Sequence, residues 1–62
     1  MQPPVEVGEI YKVKIESLLP SNRGLCKIEG FTIFVDGVNK IEEIKIKITK
    51  VARTYAQAIK IG

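Results

Sequence analysis

Aromatic rings and basic side chains are the groups with which this sequence could bind a partner. The chain has two Phe, two Tyr and ten Lys+Arg against seven Asp+Glu, a net charge of +3. Residues 1–22 hold two basic and three acidic residues (−1), whereas residues 23–62 hold eight and four (+4). Rings among cations are typical of proteins that bind single-stranded nucleic acid. Lysines on a strand also prevent edge-to-edge aggregation, so charge alone leaves both interpretations open.

Two of the rings lie close together in the sequence, at Phe31 and Phe34. Because they are three residues apart, they must lie on opposite faces of a regular strand. Phe31 shares the parity of Ile33, which is the core side, although a position directly after Gly30 would also let it bulge outward at a hairpin tip. Phe34 shares the parity of Thr32, which is the outward side. An apolar ring on that side is unexpected unless it has a role there. Phe34 is therefore the strongest candidate for stacking on a base.

The residue types exclude most catalytic chemistry. There is no His and one Cys, Cys26, which excludes a Cys/His zinc cluster, an iron–sulfur cluster, a Ser-His-Asp triad and an internal disulfide. Glu42 and Glu43 are adjacent, so on a strand their carboxylates point to opposite faces and make no catalytic pair. We therefore expect a binding protein that is not an enzyme and that has no metal or other cofactor.

The single cysteine also indicates where the protein works. A lone Cys with no disulfide partner fits a reducing, cytoplasmic setting. Cys26 occupies a position suited to a small apolar residue, and we expect a buried, unreactive thiol. The apolar runs are far shorter than the about 20 residues of a membrane span, so we expect no membrane contact.

The apolar residues predict an all-β fold. Ile and Val number sixteen, against seven for Ala, Leu and Met together, and β-branched side chains suit a pleated surface. Alternation is clearest in 43–51, where Ile44, Ile46 and Ile48 should be buried opposite Lys45 and Lys47. Tyr11 should likewise face the core. Period-two patterning predicts five strands, at 10–15, 24–28, 31–35, 43–51 and 55–61.

Short strands at this spacing indicate a small barrel, which leaves few sticky edges. We expect residues 1–8 to form an N-terminal arm and 9–62 the barrel, with a loop at 17–22 and a tight turn at Glu29-Gly30. An OB-like and an SH3-like barrel both satisfy this pattern, and composition does not choose between them.

The run GLCKIEGFTIFV, residues 24–35, resembles the TRAM domain. The similarity continues through Asp36-Gly37, the basic strand 45–51 and the closing 55–58, and it covers residues 8–61. Asp36-Gly37 and Ile41-Glu42 depart from the Pro-Gly and Gly-Glu pairs that the family often has. The resemblance implies a five-stranded OB-like barrel that binds RNA, of the kind found alone in archaea as small proteins suggested to act as RNA chaperones, or appended to RNA-modifying enzymes.

Eight residues are candidate RNA contacts. The resemblance implies this role for Lys27, Phe31 and Tyr55. The rings and cations among residues 23–62 add the rest: Arg23, Phe34, Lys45, Lys47 and Arg53. We expect a monomer that binds single-stranded or weakly structured RNA, with tRNA and rRNA as candidate targets and little sequence preference. Two alternatives stay open: an SH3-like protein-interaction module, and a domain of a larger RNA-modifying enzyme. Met1 and the whole-barrel length favour a free-standing protein.

Overall fold

The computed structural model describes residues 4–62 as strands joined by short turns. All five predicted strands are present, with ends that differ by one residue or none. The long basic strand has the bounds that its alternation predicts. The strands are β1 (Ile10–Lys14), β2 (Ser17–Leu19), β3 (Arg23–Ile28), β4 (Phe31–Asp36), β5 (Glu43–Val51) and β6 (Tyr55–Lys60).

The additional strand, β2, corrects the prediction of a loop at 17–22. Its three residues pair antiparallel with β3, with Ser17 opposite Leu25 and Leu19 opposite Arg23. Backbone hydrogen bonds hold this strand, and no alternation of side chains marks it. Pro20 follows it directly and has no N–H to extend the ladder. The predicted loop is therefore limited to the residues after Leu19.

The chain between β1 and β2 brings the two ends of the sheet together. The strand order is β1-β5-β6-β4-β3-β2. Within the two-residue connection, Ile15 donates its N–H to the Glu42 carbonyl before β5, and Glu16 donates to the Leu25 carbonyl in β3. If β1 and β2 are counted as one bent strand, the sheet has five strands. Its first strand then pairs with the second, β3, through β2 and with the fourth, β5, through β1. This is the arrangement of the OB-fold, which confirms the OB-like prediction over the SH3-like one.

The core lies on the inward face of this curled sheet. Ile44, Ile46 and Ile48 are 4%, 0% and 0% exposed, while Lys45 and Lys47 are exposed, as the alternation predicts. Gly24 is also on this face, where a Cβ atom would lie 3.0 Å from Val38 Cγ1 and 3.1 Å from Ile15 Cγ2. The core residues are Val5, Ile15, Cys26, Ile33, Val35, Val38, Ile44, Ile46, Ile48, Ala56 and Ala58.

The predicted arm at 1–8 falls partly outside the described residues, which begin at Pro4. Within the described part, Val5 is 1% exposed and belongs to the core. Gly8 has a φ of 91° and donates its N–H to the Ile48 carbonyl, 2.8 Å away. This segment therefore closes over the sheet beside β5. The boundary between arm and barrel stays a prediction.

The turn between β3 and β4 needs two residues in the left-handed region. Glu29 has a φ of 51° and Gly30 a φ of 81°, and Ile28 pairs with Phe31 across them. Positive φ at both positions is the geometry of a type I′ hairpin turn, whose twist matches that of the strands. The predicted turn is thus confirmed, with Glu29 in a conformation that glycine or asparagine adopts more easily.

Candidate nucleic-acid interface

Two aromatic rings meet on the outward face of the sheet. Phe34 on β4 pairs with Gln57 on the parallel strand β6, and Tyr55 lies two residues before Gln57. The Phe34 and Tyr55 ring centroids are 5.7 Å apart, with an interplanar angle of 71°. Both rings are half-buried. This edge-to-face pair leaves part of each ring open to solvent, which is what stacking on a base requires.

Two lysines flank the ring pair from opposite sides. Lys27 on β3 pairs with Thr32, which itself pairs with Tyr55, so Lys27 lies in the row of Tyr55. Lys50 on β5 pairs with Gln57, so it lies in the row of Phe34. Both lysines are exposed. We call this surface the ring patch; its members are Lys27, Phe34, Lys50, Tyr55 and Gln57.

A β-bulge places Lys50 in the ring patch. Strict alternation after Ile48 would point residue 50 inward, but the register between β5 and β6 shifts between Ile48 and Lys50. Thr49 is the extra residue, and its hydroxyl donates to the Gln57 carbonyl at 3.3 Å. The shift turns Lys50 outward and Val51 toward the core. Lys50 is not among the site residues predicted from the sequence, although a lysine in the inward register is itself a sign of a bulge.

A second outward surface lies further along β5. Lys47 pairs with Ile10 on β1 and with Ile59 on β6, and Ile61 donates its N–H to the Lys45 carbonyl. The three isoleucines are exposed, at 57%, 40% and 44%. We call this surface the isoleucine patch; its members are Ile10, Lys45, Lys47, Ile59 and Ile61.

Ion pairs divide the basic residues into two groups. Within residues 4–62, four cations have a carboxylate within 4.0 Å: Lys12 with Glu43, Arg23 with Asp36, and both Lys40 and Lys60 with Glu42. The predicted contacts Lys27, Lys45, Lys47 and Arg53, and also Lys50, have no such partner in this part of the chain. With Lys14 on β1, six cations of residues 4–62 therefore have no carboxylate within 4.0 Å and are available to an anionic partner.

Comparison with known proteins identifies the family. Residues 4–61 match the TRAM domain. This chain belongs to the TRAM family. An uncharacterized protein of Methanocaldococcus jannaschii is 41% identical over 58 residues, which are 94% of this chain and 75% of that protein.

A solved structure and an enzyme are also similar. The solution structure of a conserved protein of Methanococcus maripaludis superposes with a TM-score of 0.87 at 34% identity, covering 98% of this chain and 87% of that one. Ribosomal RNA large subunit methyltransferase E of Haloarcula marismortui is 38% identical over 55 residues, which are 89% of this chain and 21% of the enzyme. The TRAM domain is an RNA-binding module, so a polyanion partner suits the unpaired cations.

The structure brings together four of the eight predicted site residues. Phe34, Tyr55 and Lys27 lie in the ring patch, and Arg53 is in the turn just before Tyr55, where Ala52 donates its N–H to the Tyr55 carbonyl. Lys45 and Lys47 are outward but in the isoleucine patch. Arg23 is outward and paired with Asp36, its Nε 3.3 Å from Oδ1.

The other two rings of this TRAM domain face inward. Phe31 packs against the core while staying half-buried, and so does Tyr11, as expected for Tyr11. The Tyr11 hydroxyl donates to Glu9 Oε1 at 2.5 Å. This hydrogen bond, with burial and the charges of Glu9 and Glu6 adding to it, raises the pKa of Tyr11 to about 12. The outward bulge considered for Phe31 is absent.

The remaining groups offer little reactivity. Cys26 is 1% exposed, as predicted, and burial, followed by the charge of Glu16, raises the pKa of its thiol to about 11. Across residues 4–62, no three His, Cys, Asp or Glu side chains cluster where they could hold a metal ion. The same residues contain no helix with the length and apolarity that a membrane crossing needs.

Proposed function

We propose that this TRAM domain binds single-stranded or weakly structured RNA with little sequence preference and acts as an RNA chaperone. The observation that carries the proposal is the Phe34–Tyr55 ring pair, partly open to solvent between cations that have no ion pair within residues 4–62. Rings stack on any base, because every base has a π-face, and cations bind any phosphate. Such a surface binds RNA whatever its base sequence.

Chaperone activity follows from preferential binding to the unpaired state. Only an unpaired base exposes the full face that a ring covers, so the protein binds open RNA more tightly than duplex. A ligand shifts a two-state equilibrium by its difference in affinity for the two states. Bound protein therefore opens weak helices without ATP. We propose that it does so as a monomer in the cytoplasm.

The proposed contacts have different weights. Phe34 and Tyr55 stack on bases, while Lys27, Lys50 and Arg53 bind the phosphates next to them. Lys45 and Lys47 add charge further along β5. Two predicted residues have minor roles: Arg23 must leave Asp36 to contact a phosphate, and Phe31 offers only the exposed part of an inward ring. Ribosomal RNA is one candidate target, because a relative is a ribosomal RNA methyltransferase; transfer RNA is another.

Fluorescence anisotropy with matched oligonucleotides tests the proposal. Single-stranded RNA, single-stranded DNA and duplex RNA of one length are titrated at several salt concentrations. We expect tightest binding to the single strands and a slope of log K against log salt of about −2 to −3, for three or four phosphates neutralised. A doubly labelled RNA hairpin should also open on addition of protein without ATP. Equal affinity for duplex and single strand would contradict the proposal.

A second candidate function rests on the isoleucine patch. Three exposed isoleucines in adjacent rows are more apolar surface than phosphate binding needs, and a protein partner would use them. This supports the two alternatives of an interaction module and a domain of a larger RNA-modifying enzyme, in which the patch would contact the rest of the enzyme. Binding of that kind should change little with salt, in contrast to RNA binding.

A further inference from the structure

Gln57 occupies the centre of the ring patch. It pairs with Phe34 on one side and with Lys50 on the other, and Tyr55 lies two residues before it on the same face. The residue is half-buried. Its backbone carbonyl accepts the Thr49 hydroxyl, which fixes the strand at the bulge. The side chain therefore projects from a rigid position between a ring and a cation.

The Gln57 amide is free to bind something else. Within residues 4–62, none of the side-chain hydrogen bonds involves its carbonyl oxygen or its NH₂ group. No buried polar side-chain atom in the same residues lacks a partner, so the amide reaches solvent. An unpaired amide carries one acceptor and two donors. In this position they lie beside the ring on which a base would stack.

The chemistry of an amide suits the Watson–Crick edge of any base. Adenine and cytosine each present an exocyclic NH₂ donor beside a ring nitrogen acceptor. Guanine and uracil each present a carbonyl acceptor beside a ring N–H donor. An amide that rotates by half a turn matches either order, with one bond donated and one accepted. In a duplex this edge is occupied by the partner base.

We propose that Gln57 hydrogen-bonds to the Watson–Crick edge of the base stacked on Phe34 and so distinguishes unpaired from paired RNA. The inference rests on the proposed function and deepens it, because it names the group that replaces the hydrogen bonds of the broken base pair. Stacking alone does not require an open edge. An edge contact does, so it directly opposes base pairing.

Gln57→Met tests the assignment, because methionine keeps the length of the unbranched side chain and its charge of zero while removing the amide. We expect affinity for single-stranded RNA to fall about fivefold to tenfold, as for one or two hydrogen bonds. Affinity for duplex RNA should not change, so the single-strand preference should fall by the same factor. Asn39→Met, which removes an amide from the exposed connection outside the ring patch, is the matched control and should change neither affinity.

Gln57→Glu gives a second readout that a structural role would not move. A carboxylate only accepts hydrogen bonds, and guanine is the base whose edge presents two adjacent donors, N1–H and N2–H₂. Oligouridine with one central guanine or adenine is titrated against wild type and variant. We expect the guanine-to-adenine affinity ratio to rise about fivefold in the variant, although the added negative charge weakens both complexes.

The outcomes separate the two proposals. If wild type does not prefer single-stranded RNA, the proposed function fails. If wild type has that preference, and folded Gln57→Met keeps it while Gln57→Glu keeps the wild-type base ratio, the proposed function stands and the role of Gln57 is wrong. Circular dichroism melts of each variant establish folding, and Gln57→Glu alone decides if Gln57→Met does not fold.

Discussion

The two faces of this sheet are built from alternate residues of the same strands, yet they use those residues differently. On β5 the inward residues Ile44, Ile46 and Ile48 are almost completely buried, and each fills a fixed volume. The outward residues between them are exposed lysines. Along β4 the same division separates Ile33 from Phe34. Inward residues are constrained by volume and outward residues by exposure and charge, so a substitution should affect either folding or binding, according to its face.

The largest effect should come from Ile46→Ala on the inward face. Loss of a buried side chain and creation of a cavity cost about 2–5 kcal/mol, which is most of the stability available to a core this small. Urea denaturation measures the loss. Lys47→Ala, the adjacent outward residue, should change the free energy of unfolding by less than about 0.5 kcal/mol. If Ile46→Ala is unfolded throughout, Ile46→Val should still cost about 0.5–1.5 kcal/mol; equal effects on both faces would contradict the comparison.

The Cys26 thiol is a chemical probe of the inward face. Its pKa is about 11 in the fold, whereas that of an unperturbed cysteine thiol is 9.0. The shift lowers the thiolate fraction at pH 8 about a hundredfold, and burial further limits access of a reagent to the sulfur. Labelling by a thiol reagent should therefore be slow in native protein and fast in urea. Because the folded pKa is the higher one, this group stabilises the fold below about pH 9, and the contribution is lost as pH rises toward 11. Fast native labelling would place β3 in the opposite register.

On the outward face, Phe34→Ala should weaken RNA binding without unfolding the protein. One stacked base contributes about 1–3 kcal/mol, so the dissociation constant for single-stranded RNA should rise accordingly. Ile59→Ala, an outward apolar residue in the isoleucine patch, is the control and should leave RNA affinity unchanged. A folded Phe34→Ala protein that binds RNA like wild type would remove the ring patch from the proposed function.

Substitution of two lysines on β5 compares the two outward patches, because Lys50 lies in the ring patch and Lys47 in the isoleucine patch and each substitution removes the same charge. Lys50→Ala and Lys47→Ala each remove one cation, and each should flatten the salt dependence by somewhat under one unit of slope if its lysine contacts a phosphate. Because Lys50 flanks the stacked base, its loss should weaken binding by about 1 kcal/mol, and the loss of Lys47 by less, evenly across RNA sequences. Equal effects at one salt concentration would mean that the RNA follows β5 through both patches.

The smallest effect should come from Glu29, in the turn that joins β3 and β4. Glu29→Asn replaces a residue at a φ of 51° with one that tolerates the left-handed region. We expect a gain of about 0.5–1 kcal/mol in the free energy of unfolding, measured by thermal melts. Removal of a negative charge near Lys27 should also raise RNA affinity slightly. A loss of stability would show that Glu29 makes a contact worth more than the strain.

Regular alternation explains which parts of the fold were predictable from the sequence. In 43–51 each residue reports its own face, because strand geometry repeats every two residues. The Glu29-Gly30 turn follows from two adjacent strands and the conformational freedom of one glycine. The outward orientation of Phe34 follows from its spacing of three residues from the inward Phe31. Each inference depends on neighbours in the sequence, and all of them hold in the structure.

The features that escaped prediction depend on residues distant in the sequence. β2 has no side-chain pattern, and its partner strand defines it. Lys50 turns outward because β6 forces a bulge at Thr49. The Arg23–Asp36 ion pair results from the register of β3 against β4, thirteen residues apart. Val5 is buried because the whole sheet curls beneath it. Local patterns contain none of these pairings.

The bend between β1 and β2 also determines how the chain folds. β3 and β4 are joined by a two-residue turn and form a local hairpin, whereas Ile10 must find Lys47 on β5, most of the chain away. Closing such distant pairs is slow, so we expect folding in milliseconds to seconds, with the β3–β4 hairpin forming early. That hairpin carries Phe34 and Lys27, but Tyr55 joins them only when β6 docks in parallel. RNA binding should therefore appear in refolding experiments only after β6 has docked.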